Sequence, residues 1–293
     1  MEQTSQRVKN PPDAASLMLT ARSFGKYDLA AAIADIIDNS IKAKSTLIEI
    51  SCSFLDGYPE VRIRDDGTGM SKKELLVAMR PACINPTDDR SPDDLGRFGW
   101  GMKSASFSQC KILTVITKTE DEINGASWNL DDIDEWAMDV YEGDNALGKL
   151  SRSFKSCSGT ELIWTNCDRL SERNSTTQEI FNELIMTARR KLSLIFHRFL
   201  DGGAGIKGFG IILNGTPLDR VDPYCSTHDA TIPSPTEVMN LPGGHQIKMK
   251  AFTLPHFSKL TNEEYESSGG EEGYVKNQGF YIYRNNRLIK EYL

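Results

Sequence analysis

The sequence predicts an α+β protein built from two domains, and three observations support this prediction. The chain has 293 residues, about twice the length of a typical domain. Its first half alternates segments of helical period with short runs that have the composition of strands. Its second half begins with a long helical stretch and ends in further strand-like runs. We therefore expect domains at residues 13–172 and 173–293, after a loose lead-in at residues 1–12.

The composition is that of a soluble protein with a buried core, since 39% of the residues are apolar and 26% are charged. The net charge of −7 argues against a protein that coats nucleic acid over its whole surface. The six cysteines form no CxxC pair, which disfavours a zinc site or a disulfide framework and suits reduced thiols. The N-terminus has no apolar signal segment, and no run approaches the roughly 18 apolar residues of a membrane span. We expect a cytoplasmic protein without membrane contact.

Two helices are expected near the N-terminus, one starting at Asp13 and one over residues 28–43. In the second helix Asp35, Asn39 and Lys42 are spaced at i, i+4 and i+7, so they share one face. A carboxylate and an amide one turn apart could act as a general base and a metal ligand. A solvated polar face explains the same spacing, and on helix statistics alone it is the commoner explanation.

Strand signals follow these helices. LIEISCSF (residues 47–54) and EVRIRDD (residues 60–66) predict two strands joined by the turn residues DGYP. Ser71 and Glu74 then predict a capping box that opens another helix. The strands and helices of this region therefore alternate at short intervals.

The remaining segments complete both domains. Residues 81–95 are rich in proline and charge and predict a long mobile loop, after which a helix is expected near Gly101. KILTVITK, GASWNL and GTELIWTN predict further strands of the first domain, and residues 171–200 have helical period. We expect GFGIILNGTPL, HQIKMKAFTL and GFYIYRNNRLI to be strands of a second sheet.

A second candidate site is the segment IRDDGTGM, residues 63–70. A strand ends there in two aspartates, Asp65 and Asp66, and a carboxylate at this place could accept a hydrogen bond from an amino group such as the exocyclic amine of adenine. Gly67 and Gly69 would let the backbone turn tightly and approach a ligand. An ordinary Asp-Gly turn is the alternative explanation.

A third candidate is GRFGWGMKS, residues 96–104, in which three glycines precede a helix. The backbone N–H groups there would favour an anion, because a helix N-terminus carries partial positive charge. The segment is not a P-loop, since Met102 separates Gly101 from Lys103. A phosphate nearby would explain a lysine in the first turn of the helix. A fourth and fainter signal is Thr160, which could place a hydroxyl beside a nucleotide base.

The order and spacing of these four motifs resemble those of a known protein superfamily. The chain reads D-x-x-x-N on a helix, D-x-G-x-G after a strand, a polar loop, G-x-x-G-x-G with a lysine, and finally G-T. This series over residues 13–165 resembles the GHKL (Bergerat-fold) ATPase superfamily, and within it most closely the MORC-type and MORC-like bacterial ATPases. The resemblance implies a two-layer α/β sandwich, a mixed sheet with helices on one face, followed by a β-α-β transducer-like domain.

The resemblance also implies roles for individual residues. Asn39 would hold Mg²⁺, Asp65 would bind the adenine amine with support from Thr160, and Lys103 would contact phosphate. Residues 81–95 would form the ATP lid. The nucleotide-contacting residues that it implies are Asn39, Asp65, Gly67, Gly69, Met70, Gly96, Phe98, Gly99, Trp100, Gly101, Met102, Lys103 and Thr160.

Two catalytic roles follow from the same resemblance. Asp35 occupies the position where these ATPases usually have a glutamate as general base. Because aspartate is one methylene shorter, we expect slow hydrolysis. Lys290 is the candidate for the transducer lysine that senses the terminal phosphate, although its position alone is equally consistent with a surface lysine.

The predicted function is Mg²⁺-dependent ATP binding and slow hydrolysis to ADP, with lid closure and N-terminal homodimerisation as a conformational switch. The alternative is a nucleotide-binding module with little or no turnover. A histidine kinase is disfavoured, because no histidine precedes the helix that contains Asn39. A DNA or protein client would be reached through regions outside this chain.

Overall fold

The computed structural model describes residues 8–10, 12–23, 27–82, 100–133, 136–170, 177–203, 205, 208–267, 273 and 277–291. The α-helices are α1 (Ala14–Ala21), α2 (Leu29–Lys42), α3 (Lys72–Met79), α4 (Gly101–Phe107), α5 (Asp144–Leu147), α6 (Gln178–Ile195), α7 (His197–Leu200) and α8 (Asn262–Ser267). The strands of the first sheet are β1 (Leu47–Leu55), β2 (Tyr58–Asp65), β3 (Ile112–Lys118), β4 (Ile123–Asn129), β5 (Asp139–Glu142), β6 (Gly159–Thr165), β7 (Gly210–Leu213) and β8 (Thr216–Pro217). The later strands are β9 (Ile232–Pro233), β10 (Glu237–Asn240), β11 (Gln246–Met249), β12 (Phe252–Thr253), β13 (Ile282–Arg284) and β14 (Arg287–Lys290).

The first sheet has eight strands in the order β5-β4-β3-β6-β2-β1-β7-β8. β1 and β7 pair in parallel, whereas the other neighbours pair antiparallel, so the sheet is mixed. Together with the helices that cover it, this sheet confirms the predicted α+β fold class.

Helix α2 forms where the sequence predicts it, because a cap and an apolar stripe coincide. The side chain of Asp28 accepts a hydrogen bond from the backbone N–H of Ala31 at 2.8 Å, which satisfies a free donor of the first turn. Ile33, Ile36 and Ile37 are fully buried. Burial of side chains of this size stabilises the fold by about 1.5–3 kcal/mol each. The polar face with Asp35 is therefore left on the other side of the helix.

Helices α3 and α4 pack against one face of the sheet, and each accepts a hydrogen bond from a tryptophan of the sheet. The indole of Trp128 in β4 donates to the carbonyl of Met79 at 3.0 Å, and that of Trp164 in β6 donates to the hydroxyl of Ser106 at 2.9 Å. Both rings are buried, so each packs apolar area while its N–H keeps a partner. The predicted capping box of α3, between Ser71 and Glu74, is confirmed.

The opposite face of the sheet carries a buried ion pair and the short helix α5. The guanidinium of Arg64 in β2 pairs with the carboxylate of Glu161 in β6 and lies 4.9 Å from the ring centroid of Phe154. Ala146 of α5 packs with Ile116 and other apolar side chains on this side. The longer helices α2, α3 and α4 therefore share one face, and a single helical turn lies against the other.

One strand prediction is wrong. GFGIILNGTPL was expected in a second sheet, but its strands β7 and β8 form the end of the first sheet. The main-chain N–H of Gly210 donates to Thr46 at 2.9 Å, and Ile48 lies opposite Ile211 in the parallel ladder. The pattern of the segment shows that it is a strand, but strand pairing is a long-range contact that such a pattern does not encode.

The chain divides into two compact units, Met1–Arg189 with Lys207–Leu218, and Arg190–Ile206 with Asp219–Leu293. The domain boundary predicted at residue 172 lies in residues 171–176, outside the described part, and stays a prediction. In the described residues of the second unit, the strands form three separate two-stranded sheets, β9–β12, β10–β11 and β13–β14. HQIKMKAFTL and GFYIYRNNRLI therefore form strands as expected, but these strands do not share the second sheet that was expected. A β-α-β transducer arrangement also stays a prediction.

The second unit contains a buried polar cluster around His197. Its Nε2 lies 2.7 Å from the hydroxyl of Tyr283, which lies 2.6 Å from the hydroxyl of Tyr224. The guanidinium of Arg198 lies 3.5 Å from the centroid of the Tyr283 ring. Burial, followed by the charge of Arg198, lowers the pKa of His197 from 6.5 to about 4, against a smaller opposite effect of Asp222. His197 is therefore held neutral in the folded chain at neutral pH.

We expect the stability of the protein to fall on acidification because of His197. Below pH 6.5 the unfolded chain protonates this residue, whereas the folded chain excludes the proton until about pH 4. The free energy of unfolding is therefore highest above pH 6.5 and falls toward pH 4, at up to about 1.4 kcal/mol per pH unit. Urea unfolding followed by circular dichroism across this range measures the slope.

His197→Gln should flatten the pH dependence, and the exposed His245→Gln should not. Equal slopes in the parent and His197→Gln would contradict this expectation.

Among the described helices none is both long enough and apolar enough to cross a bilayer. The described cysteines, Cys52, Cys110, Cys157, Cys167 and Cys225, are free thiols.

Candidate functional site

The polar face of α2 brings Asp35 and Asn39 together. The side-chain amide nitrogen of Asn39 donates to the backbone carbonyl of Asp35 at 3.0 Å, and the Asn39 side chain is exposed. Because the nitrogen makes this bond, the amide oxygen is the atom of Asn39 that remains for a cation. The carboxylate of Asp35 is half-buried and accepts a hydrogen bond from the hydroxyl of Tyr27 at 2.7 Å. One turn of helix therefore presents a carboxylate and an amide oxygen.

A second carboxylate, that of Asp65, is buried at the end of β2. Its two oxygens accept from the hydroxyl of Ser40 at 2.9 Å and from the N–H of Gly67 at 2.9 Å. Burial raises the pKa of Asp65, while hydrogen bonds from Gly67, Ser40 and the backbone of Thr160 act in the opposite direction. Burial outweighs these donors, so the pKa of Asp65 lies above its usual value. In the folded chain both oxygens of Asp65 serve as hydrogen-bond acceptors. Since Ser40 directly follows Asn39, the two parts of the site are physically joined.

The two glycines after Asp65 are required by the protein's own backbone. A Cβ on Gly67 would lie 2.8 Å from the carbonyl oxygen of Ala43. Gly69 has a φ of +68°, and a Cβ there would lie 2.0 Å from the carbonyl oxygen of Lys118. The turn therefore passes closely between the end of α2 and the end of β3. This close packing alone requires glycine at both positions, even without a bound ligand.

A row of polar side chains crosses the sheet next to Asp65. Thr160 in β6 lies opposite Asp65, Thr117 in β3 lies opposite Thr160, and Asn124 in β4 lies opposite Thr117. Residues directly opposite each other in antiparallel strands point to the same face. The hydroxyls of Thr117 and Thr160 are 3.3 Å apart, and the N–H of Met70 donates to Thr117 at 2.8 Å. Among the described residues, the buried side-chain nitrogen of Asn124 has no hydrogen-bond partner.

The predicted phosphate-binding lysine lies inside the fold. Helix α4 starts at Gly101, and Trp100 before it gives no side-chain cap. Lys103 is only 2% exposed, and its ammonium donates to the carbonyl of Ala78 in α3 at 2.5 Å. Met102 beside it is half-buried. The structure thus places the ammonium against the end of α3, and its contact with phosphate stays a prediction.

Several predicted residues cannot be placed in this geometry. Gly96, Phe98 and Gly99, together with most of the predicted lid at residues 81–95, lie outside the described residues. Lys290 is exposed at the end of β14, in the second unit. Its role as a phosphate sensor stays a prediction.

Three residues of the site were not recognised from the sequence: Tyr27, Ser40 and Thr117. Ser40 could have been found, because it directly follows Asn39 in a motif already singled out. Thr117 acts through a contact between distant segments, with Met70, and Tyr27 acts through the way the chain enters α2. Neither residue carries a recognisable sequence signal.

Residues 27–160 match the family of histidine kinase-, DNA gyrase B- and HSP90-like ATPases. This segment belongs to that family. The GHKL resemblance predicted from the four motifs is thereby confirmed, and the eight-stranded mixed sheet agrees with the fold of these ATPases.

Individual relatives of the GHKL segment are distant. ATPase morc-1 of Caenorhabditis elegans is 29% identical over 89 residues, which are 30% of this chain and 10% of that protein. The DNA mismatch repair proteins MutL of Sinorhizobium fredii and Rhizobium meliloti are 30% and 31% identical over 99 residues. These are 33% of this chain and 16% of each relative. The similarity therefore concerns a small part of each relative.

Proposed function

We propose that this chain binds ATP with Mg²⁺ and hydrolyses it slowly to ADP and phosphate. One observation carries the proposal: Ser40 donates to the buried carboxylate of Asp65, and the preceding Asn39 presents its amide on the exposed face of α2. Two consecutive residues of α2 therefore serve both ends of the proposed site. Ser40 orients the carboxylate proposed to bind the base, and Asn39 is the proposed metal ligand. Membership of the GHKL family supports the choice of ATP as ligand.

The adenine end of the nucleotide is assigned to Asp65 and Thr160. An ionised carboxylate can only accept hydrogen bonds, and the exocyclic amine of adenine is a donor. Asp65 already receives bonds from Ser40 and Gly67, which fix its orientation before a ligand arrives. Thr160 lies opposite Asp65 in the neighbouring strand, where its hydroxyl can support the same base.

The phosphate end is assigned to Asn39. Mg²⁺ prefers oxygen ligands and is usually held by one or two protein groups together with substrate phosphates and water. The exposed amide oxygen of Asn39 fits this role. In the described residues no group of three or more His, Cys, Asp or Glu side chains could hold a metal. When bound, Mg²⁺ would neutralise charge on the phosphates.

Asp35 is assigned the role of general base. It would take the proton of a water molecule that attacks the terminal phosphorus, and ADP would leave with the electrons of the broken P–O bond. Lys103, Lys290 and the glycines from Gly96 to Gly101 complete the proposed phosphate environment. These assignments are supported by the family resemblance.

Lid closure over ATP and N-terminal homodimerisation are the proposed consequences of binding, also supported by the resemblance. We further propose a cytoplasmic location, which the free cysteines support. The name of the MutL relatives supports DNA as a candidate client.

Phosphate release from ATP tests the proposal. The parent chain should release phosphate in the presence of Mg²⁺, and Asn39→Ala should lower the rate about 100-fold, as is usual when a group that stabilises transition-state charge is lost. Asn145→Ala, at an exposed position of α5, is the matched control. Parental rates in Asn39→Ala would contradict the assignment.

A second candidate function is a nucleotide-binding module with little turnover. It is favoured by Asp35, whose carboxylate sits one methylene closer to the helix than that of a glutamate. Tight ATP binding without phosphate release in the parent chain would establish this alternative.

A further inference from the structure

The hydroxyl of Tyr27 contacts the candidate general base directly. Tyr27 precedes α2, and its side chain reaches two turns along the helix to the Oδ2 atom of Asp35, at 2.7 Å. Both side chains are half-buried, so water competes less with this bond than at an exposed position. A phenol that donates to a carboxylate makes a charge-assisted hydrogen bond, which is stronger than a bond between neutral groups.

Tyr27 is also anchored through its main chain. Its carbonyl accepts from the side-chain amide of Gln109 at 3.5 Å, and the same amide nitrogen donates to the hydroxyl of Ser108 at 2.9 Å. Gln109 is buried and lies just after the end of α4. The tyrosine is therefore held at its backbone by the end of α4 while its hydroxyl holds Asp35 on α2.

We propose that Tyr27 is a positioning residue for ATP hydrolysis, which acts by fixing the carboxylate of Asp35. This inference rests on the proposed function. An aspartate on an open helix face can rotate about two bonds, and a misplacement of about 1 Å can cost roughly 100-fold in rate. A bond at one carboxylate oxygen restricts that rotation. The carboxylate of Asp35 is one methylene closer to the helix than that of a glutamate, which lowers the expected rate of hydrolysis. By fixing the orientation of this carboxylate, Tyr27 restores part of that rate.

The hydroxyl of Tyr27 stays protonated throughout the reaction. The water proton goes to Asp35, the water oxygen forms the new bond to phosphorus, and ADP takes the electron pair of the broken bond. Tyr27 therefore takes no part in the bond changes and acts through Asp35.

Tyr27→Phe tests the proposal, since it removes one oxygen atom and keeps the ring. We expect kcat for ATP hydrolysis to fall about 10-fold, because the carboxylate loses its fixed orientation. The Kd for a non-hydrolysable ATP analogue should stay within about twofold, since Asp65 and Asn39 are untouched. Tyr58→Phe, at a tyrosine that is 72% exposed, is the matched control and should change neither value.

A double-mutant cycle separates positioning from a general structural role. In an Asp35→Ala background, Tyr27→Phe should cause no further loss of turnover, because the residue it positions is absent. A similar loss of kcat in both backgrounds, or a fall in melting temperature that accompanies it, would show a structural role and overturn the inference.

The remaining outcomes are distinguishable. A parent chain that hydrolyses ATP and a Tyr27→Phe variant with unchanged kcat would overturn this inference alone. If the parent chain does not hydrolyse ATP, or hydrolyses it equally fast after Asp35→Ala, the proposed function is overturned. This inference is then overturned with it.

Discussion

Asp35→Ala is expected to lower ATP turnover about 1,000-fold, within the range that general-base catalysis contributes. Asp35 lies one turn from Asn39 on α2, so a water held near a bound phosphate would be within reach of its carboxylate. Binding should be retained, because the adenine and metal assignments involve Asp65 and Asn39. Steady-state phosphate release gives kcat, and titration with a non-hydrolysable analogue gives Kd.

Asp35→Asn makes this prediction sharper. The amide has the shape of the carboxylate, and its oxygen can still accept the bond from Tyr27, but it cannot take a proton from water. A loss of turnover equal to that of Asp35→Ala is therefore expected. Asp121→Ala, at an exposed carboxylate between β3 and β4, is the control. An Asp35→Asn variant with parental turnover would show that the base lies elsewhere.

Asp65→Asn is expected to weaken ATP binding about 10- to 100-fold, since a hydrogen bond to a charged group contributes about 1.5–3 kcal/mol. Ser40 and Gly67 donate to opposite oxygens of Asp65, and a side-chain amide can accept only one of these bonds. With its oxygen toward Gly67, the NH₂ group would face Ser40, whose hydroxyl can accept from it while donating to the carbonyl of Ile36 at 3.3 Å. One acceptor oxygen of Asp65 is thereby replaced by a donor. Calorimetric titration with a non-hydrolysable ATP analogue measures the loss.

The same substitution should narrow the preference for ATP over GTP. Guanine presents a carbonyl where adenine presents its amine, and the NH₂ group that Asp65→Asn introduces would suit a carbonyl better than a carboxylate does. Asp132→Asn, at an exposed position after β4, should leave both affinities unchanged. Unaltered ATP binding in Asp65→Asn would refute the assignment of Asp65 to the base.

Local patterns predicted most of the first unit. Helix α2, the strand pair β1–β2 and the capping box of Ser71 and Glu74 are each specified by residues close together in the chain. The ordered motifs then predicted the family, because glycines, an aspartate and an asparagine at fixed intervals are visible without any tertiary information.

Contacts between distant segments could not be predicted in this way. The pairing of β7 with β1 joins segments that lie far apart in the chain, Leu47 opposite Gly210, and nothing in GFGIILNGTPL encodes that partner. Tyr27 lies close to Asp35 in the chain, but its contact depends on how the chain enters α2, which the sequence pattern does not show. The need for glycine at position 69 was predicted, but the approach of Lys118 that imposes it was not.

The parallel strand β7 has a practical consequence for dissecting this protein. The segment that matches the ATPase family ends at residue 160, yet β1 is covered on its outer side by a strand that starts at Gly210. A fragment cut at the end of the family match would lose most of β6 (Gly159–Thr165) as well as β7. It would therefore expose unpaired main-chain groups along β1, β2 and β3, which invites self-association. A fragment that keeps all eight strands of the first sheet must therefore extend through β8.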